Sequence, residues 1–541
     1  MELEALTVAM DPLIQDYLNQ KDSLMEHFDY NPYQDNIFKD RLADLQKQTY
    51  QRSELVRVLK QQYRKWGNHP SVLSNIERLA DSNSVVVIGG QQAGLLTGPL
   101  YTIHKMISII VCARQQERNL QVPVIPVFWI AGEDHDFAEI NHIYRNQEHQ
   151  LDKYAVKQFI AKKTPISDIA LERSQIKVWL ADIFKGFQET GYTHELYHKL
   201  IGLLDRADTF VDYFASITDW LLGKYGLVMV DSGDKSLREI EVDYFSTMIR
   251  KRPELANKVF KQWRNLTAKG YSIPLDLQPT DGHLFYLHKN ERTLLESTEA
   301  DTWVGKDLSC QFNTSELLRL VKSNPDRFSN NVITRPLMQE LLFPTLAFLA
   351  GPGEIAYWSV LQPAFHILDL KVPPILPRLS FTLLDRYTAK QLEQLDYEAV
   401  DVINHGVEHD KVRYLTEQLQ PPLTTLIEQI KSSVSVIHQP LREIASSLGG
   451  DLEQMAEKNQ DLINEQIHFM ARAIEKRIKD QHKHQLNKYD HIQKMLAPYH
   501  NWQERYWNVI FFINENGFEW LDTLIETDFI FSNKLHYLVK F

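Results

Sequence analysis

SVVVIGGQQAGLLTGPLYTIHK, residues 84–105, opens as a strand and closes as a helix. Its first seven residues are a β-branched run ended by two glycines, the composition of a strand buried on both faces of a parallel sheet. Residues 91–99 read as a loop, and from Tyr101 the apolar residues Ile103, Ile107, Ile110 and Val111 recur at helical spacing. VPVIPVFWI, residues 122–130, is a second buried strand, with Pro123 and Pro126 near its start. Strand, helix and strand in this order make a βαβ unit. A third apolar run, GLVMVDSGD at 226–234, ends in acids as the second does. Parallel strands carry ligands at their carboxyl edge, so the expected core is a Rossmann-like α/β fold.

The chain has 541 residues, enough for about two or three domains. Hydrophobic residues at 43% and charged residues at 24% are globular values, which exclude a disordered or collagen-like chain. Lys plus Arg is 59 against 71 Asp plus Glu, a formal charge of -12. That balance argues against a nucleic-acid partner, though a local basic pocket stays open. Cys112 and Cys310 are far apart and offer neither a disulfide framework nor a zinc spacing. The N-terminus has early acids and no basic-then-apolar signal, and no apolar run approaches the length of a membrane span. A cytoplasmic protein without a membrane partner is expected.

Residues 1–80 read mostly as polar helices, and 150–220 as a helical insertion. HLFYLHKNERTLLE (283–296) is β-like, RPLMQELLFPTLAFLAGPGEIAYW (335–358) loop-rich, and VPPILPRLSF (372–381) a connection or one further strand. The expected domains are therefore a core over 1–385, a helical domain over 386–500 and a tail over 501–541. In the helical domain Ile463, Ile467, Met470, Ile474 and Ile478 mark one apolar face, Gly449 and Gly450 divide two arms, and Pro421, Pro422 and Pro440 interrupt the first. This predicts antiparallel helices and a short coiled coil that pairs chains. Trp502, Tyr506, Trp507, Phe511, Phe512, Phe518 and Trp520 predict that the tail packs back on the core.

Two loops carry candidate chemistry. The first offers four glycines and Pro99 ahead of a helix start, which suits close approach of a phosphate or carboxylate, or else is an ordinary tight connection. It has neither the P-loop order nor GxGxxG. His104 and Lys105 fall one turn into that helix, reaching back to an anion or serving as a packed histidine and a solvated charge. The second loop, VFWIAGEDHDF at 127–137, sets Glu133, Asp134, His135 and Asp136 at a strand end, fit to ligate a metal, orient an amine, act as acid and base, or cap a helix. His142 follows His135 by seven residues, but without a nearby cysteine or HExxH no metal site is expected. Asp231 in VDSGDKS and Glu354, Tyr357 and Trp358 in GPGEIAYW lie where a ligand cleft would be, or are turn chemistry.

GQQAGLLTGPLYTIHK, PVFWIAGEDHDFAEINH, RPLMQELLFPTLAFLAGPGEIAYW and PRLSFT closely resemble the cysteine-adding enzymes of bacillithiol biosynthesis, over essentially the whole chain. The resemblance implies a Rossmann-type core with inserted connecting segments, similar to class I aminoacyl-tRNA synthetases, and a coiled-coil domain used in homodimerisation. It also implies addition of L-cysteine to the amine of glucosaminyl malate, with ATP (and Mg) activating the cysteine carboxylate. The class I HIGH order is replaced by TGPLYTIHK, and no KMSKS occurs, although Arg378 and Ser380 occupy a late loop. On this reading His104, Lys105, Asp134 and His135 are catalytic. Gly90, Gln91, Gln92 and Gly94 hold the cofactor, together with Thr97, Gly98, Arg378 and Ser380. Glu133, Asp136, Asp231, Glu354, Tyr357 and Trp358 bind the substrates. The alternative is a nucleotide-binding scaffold that needs a partner for the cysteine-addition step.

Overall fold

The computed structural model describes residues 1–147, 150–299, 301–419, 422–532 and 536–541. The chain divides into two compact units. The first comprises Met1–Gln147, Leu151–Leu383 and Gln503–Phe541, and the second Leu384–Trp502.

The first unit is built on a five-stranded parallel sheet: β1 (Val85–Gln91), β2 (Val124–Ile130), β3 (Val228–Asp231), β4 (Thr345–Ala350) and β5 (Ile375–Pro377), in the spatial order β5-β4-β1-β2-β3. Every residue of β2, β3 and β4 is buried, as helices on both faces of a parallel sheet require. Gly90 pairs with Trp129 and Gln91 with Ile130, so the two loops of interest leave the sheet side by side. Strand order runs outward from β1 through β2 to β3 and then restarts with β4 on the other flank of β1. The reversal opens a crevice at the carboxyl ends of β1 and β4.

Helix α1 (Leu100–Leu120) connects β1 to β2 and buries most of its residues against the sheet. Between β2 and β3 lie a hairpin (His142–Asn146 with Leu151–Ala155) and the helices Arg173–Lys185, Thr193–Leu204 and Phe210–Leu222. The insertion is thus helical except at its start, where Leu151–Ala155 is a strand. Between β3 and β4 come a long helix (Val242–Ala268) and a five-stranded antiparallel sheet formed largely by Asp281–His288 and Glu291–Glu299.

The stretch 335–358 corrects its loop-rich reading. It holds the helix Thr334–Leu342, the central strand β4 and the helix Pro352–Trp358. TLAFLA has one β-branched residue and two alanines, so local propensity is weak and burial on both faces makes the strand. At the N-terminus, read as helical, Glu2–Leu6 is a strand that pairs antiparallel with His536–Lys540.

The second unit is helical. Leu423–Leu448 and Gly450–Gln481 form an antiparallel pair turned at Gly449, whose φ of +147° favours glycine, and His438 Nε2 lies 2.9 Å from Asn459 Oδ1 across the pair. Pro422 caps the first arm, whereas Pro440 sits inside an unbroken helix and does not interrupt it; Pro421 lies outside the described residues. Among the described residues no helix is long and apolar enough to cross a membrane.

Gly90 fixes how closely β1 and β2 approach. A Cβ there would lie 2.6 Å from the Trp129 carbonyl oxygen and 2.9 Å from Trp129 Cβ, so the strands would have to part. Gly90→Ala is expected to cost roughly 1–3 kcal/mol as a lower urea midpoint at unchanged slope. Gly353→Ala, in a helix with nothing within 4 Å of the added carbon, should be neutral or stabilising.

Candidate active site

The glycine-rich loop folds through a 3-10 turn, Leu95–Thr97, in which Leu96, Thr97 and Gly98 all take positive φ (54°, 72° and 71°). Two consecutive non-glycine residues in this region store strain of order 1–3 kcal/mol each and persist only if the surroundings hold them. The holding group is Asn508, whose Nδ2 donates to the carbonyls of Leu96 (2.9 Å) and Gly98 (2.6 Å). Leu100 N–H donates to Trp507 O at 2.8 Å, so part of the helix start is already satisfied by the tail. Gln91, Gln92, Gly94 and Gly98 line a cleft of about 560 Å³, opposite Asp136 and beside Arg505. Gln92 Nε2 donates to Glu139 Oε2 at 2.8 Å, closing one side. Gly90 lies within the sheet and Thr97 is fully buried, so both support the loop from behind.

His104 and Lys105 are neighbours in sequence but not in role, because successive helix residues point about 100° apart. Lys105 Nζ reaches the crevice between β1 and β4, donating to Gly90 O (2.8 Å), Gln91 Oε1 (3.2 Å) and Glu354 Oε2 (2.5 Å). Glu354 Oε2 also accepts from Gly351 N–H at 2.7 Å, which caps its helix. Burial lowers the Lys105 pKa, and Glu354 opposes the shift. Tyr357 accepts from Arg335 at 2.9 Å near this point, whereas Trp358 packs in the core against Phe348 and Phe365.

His104 is fully buried instead, with Nδ1 at 2.7 Å from Glu504 Oε2 and its ring edge on Phe381. Arg378 grips both oxygens of Glu504, at 2.8 and 2.5 Å. Burial would raise the Glu504 pKa, but Arg378 and His104 outweigh it and hold the carboxyl well below the usual range. Burial lowers the His104 pKa, so the ring is neutral and Nδ1–H donates. Ser380 Oγ meets His536 Nδ1 at 2.9 Å. Three sequence-expected groups, His104, Arg378 and Ser380, therefore form a buried polar cluster that ties the 378–382 segment to the tail, and none of them lines the clefts described here.

The acidic loop is neutralised from afar. Arg238 donates to Glu133 and to Glu241, each at 2.5 Å, and Glu133 also accepts from Asn330 N–H at 3.0 Å. Arg292 donates to Asp134 (3.3 Å), His135 Nδ1 (2.9 Å) and Asn330 O (2.7 Å), and stacks over Phe285. Burial pushes the Glu241 carboxyl up to about 7 against the pull of Arg238. Burial and then Arg292 lower the His135 pKa, leaving a neutral ring whose Nδ1 accepts and whose Nε2–H is a donor. Asp136 caps the short helix Phe137–Ile140. Glu133 borders a cleft of about 750 Å³, His135 one of about 780 Å³, and Asp136 the glycine-loop cleft. Asp231, at the end of β3, accepts from Ser167 Oγ and Gly233 N–H, and burial pushes its carboxyl up to about 7.

Sequence reading missed Arg238, Arg292, Glu139, Glu504, Arg505 and Asn508. The arginines are isolated in undistinguished stretches; only WQERYWN, an aromatic run enclosing Glu504 and Arg505, carries a signal in the tail. Among the described residues no group of three or more His, Cys, Asp or Glu side chains is placed to hold a metal ion.

The model for the N-terminal Rossmann-like domain of "Bacillithiol biosynthesis BshC" matches residues 1–379, and that for its C-terminal coiled-coil domain matches 381–541. The chain belongs to this family. It is 38% identical over 541 residues to a Geobacillus protein, covering 100% of both chains, and 38% identical over 507 residues to one from Oceanobacillus iheyensis, covering 93% of each. Both are named "Putative cysteine ligase BshC", as is a Bacillus licheniformis protein 38% identical over 541 residues, 100% of each chain. The Rossmann-like reading of 84–130 and the coiled-coil reading of the second unit agree with this family.

Glu504→Gln removes the one anion between Arg378 and His104. The expected loss is roughly 3–5 kcal/mol of unfolding free energy at pH 7, because a buried guanidinium is left uncompensated. Since the folded pKa of Glu504 is depressed, its contribution is present above the unfolded carboxylate pKa and fades as pH falls below it. Between pH 7 and 3 the gap in urea midpoint between wild type and variant should narrow below the unfolded carboxylate pKa without closing, because the contribution is fully lost only below the depressed folded pKa.

Proposed function

We propose that the chain is an amide-forming ligase that joins L-cysteine to the amine of glucosaminyl malate, with ATP activating the cysteine carboxylate. The observation that carries the reading is the segment from Glu133 to Ala138, which borders three clefts at the carboxyl edge of the sheet, including the one built on the glycine-rich loop. The names of the relatives support the cysteine-ligase part.

The glycine-loop cleft fits a phosphorylated co-substrate: Gln91 and Gln92 offer amides, Gly94 and Gly98 let the backbone approach, and Arg505 and Lys153 supply positive charge. ATP would transfer a phosphoryl-containing group to a cysteine carboxylate oxygen, and that oxygen would leave with the phosphate when the amine attacks the carbonyl carbon. Lys105 stands behind Gln91 as a buried cation that orients the loop's amide. Asp136 and Glu139 face the same cleft, and partial desolvation followed by the charges of Asp136 and Asp134 raises the Glu139 pKa. Glu139 is thereby suited to take the proton an attacking ammonium must lose. His135 Nε2–H donates to the carbonyl side from the adjoining cleft.

Purified protein incubated with cysteine, ATP and glucosaminyl malate should yield bacillithiol by mass. Glu139→Gln should cut kcat/KM by about 100-fold or more with an unchanged melting temperature. Absence of product from wild-type protein that binds the substrates would overturn the reading.

The same proposal includes a homodimer through the helical pair. Leu426, Ile430, Ile437, Leu441, Ile444 and Leu448 recur at three-, four- or seven-residue spacing and are exposed, Ile437 by 78%. Such a seam gains about 1.5–3 kcal/mol per buried side chain from a second copy. Sedimentation at micromolar concentration should show a dimer, converted to monomer by Ile437→Asp with Leu441→Asp.

A further inference from the structure

The cleft of about 750 Å³ that Glu133 borders differs from the rest of this acidic chain. Lys162, Lys235, Lys289 and Arg327 converge on it from four separate segments: the connection after Leu151–Ala155, the start of the helix after β3, a hairpin turn, and the approach to the strand Phe328–Asn330. Among the described residues none of the four forms an ion pair; Lys162 donates to Lys289 O at 3.2 Å and Arg327 to Tyr286 OH at 3.2 Å. The floor carries Arg238 and Arg292, already matched by Glu133, Glu241 and Asp134. The other carboxylates on the cleft are Asp168 and Asp326. Asp168 is raised by burial and by Asp326 against the pull of Lys235. With those two arginines already matched, four cations that form no ion pair face two carboxylates, on a protein whose formal charge is -12. A solvated surface scatters its lysines, whereas a concave site that collects them focuses a positive potential on whatever anion enters.

We infer that this cleft binds the dicarboxylate end of the acceptor, the malyl group in the reading above, on which the inference rests. Two carboxylates match a rim of separate cations that form no ion pair. The amine end then lies toward the glycine-loop cleft, because Glu133 and Asp136 are three residues apart on one segment, at most about 11 Å. A hexosamine ring linked to a four-carbon diacid covers that span. The cleft selects by charge and the neighbouring loop does the chemistry.

Calorimetry of the full chain tests this with L-malate, D-glucosamine and inorganic phosphate as separate probes. L-malate should bind wild type, and Lys235→Glu with Arg327→Glu should weaken it at least tenfold while the melting temperature holds. Lys306→Glu, a single charge reversal in the adjoining cleft, should leave it unchanged. The milder pair Lys235→Gln with Arg327→Gln serves if the reversal unfolds the protein. In turnover, KM for glucosaminyl malate should rise and KM for cysteine stay constant. Malate affinity unchanged in the double variant, or phosphate or D-glucosamine bound as tightly as malate, overturns the inference. A wild-type protein that makes no bacillithiol but loses malate binding in the double variant keeps the cleft and loses the ligase reading. Normal turnover with an unchanged acceptor KM in the double variant does the reverse.

Discussion

Charge brought to the end of a buried strand must be neutralised by groups from elsewhere, and this requirement organises the carboxyl edge of the sheet. Glu133 meets Arg238, Asp134 meets Arg292, Lys105 meets Glu354 and Arg378 meets Glu504. In each pair the partners lie about a hundred residues or more apart in sequence, so the pairs also hold remote segments in register around the clefts. A buried pair is weak evidence for net stability, since desolvation consumes much of the Coulomb gain. Its stronger effect is on specificity of arrangement: with one partner displaced, the other is left as an uncompensated charge, and alternative packings become costly.

The tail shows the same logic applied to backbone strain. Three consecutive residues with positive φ would not persist in an exposed loop, and the Asn508 amide closes them by two hydrogen bonds to Leu96 and Gly98. Glu504, four residues earlier, fixes His104 on the helix that follows the loop. One short segment therefore sets both the shape of the loop and the seating of the helix behind it. The glycine pattern needs this support: Gly94 and Gly98 approach so closely that a Cβ on Gly94 would lie 2.8 Å from Gly98 Cα.

Much of the core was legible because β1, β2 and β3 are β-branched runs with glycine or acidic ends, a pattern that few other environments tolerate. β4 was not, because TLAFLA has little intrinsic strand preference and is a strand only between β1 and β5. The candidate site was legible as two loops and illegible as a set of contacts. Position on a helix decides that Lys105 turns to Glu354 and His104 to Glu504, both of them buried, and no local pattern distinguishes the two. Arg238 and Arg292 gave no signal, since an isolated arginine reads as surface charge until the fold places it beside a carboxylate.

The acidic segment divides space more than it concentrates charge. Glu133, His135 and Asp136 border different clefts, and only Asp136 and Glu139 share the one built on the glycine-rich loop. Arg238 and Arg292 cancel the charge of Glu133 and Asp134, so the segment presents a nearly neutral wall on one side and carboxylates on the other. An anion can then lie against the first side without repulsion while an amine is drawn to the second. The proposed reaction, which joins an activated carboxylate to an amine carried on an acidic molecule, would need that asymmetry, because the acceptor's own carboxylates would otherwise be repelled from the place where its amine must react.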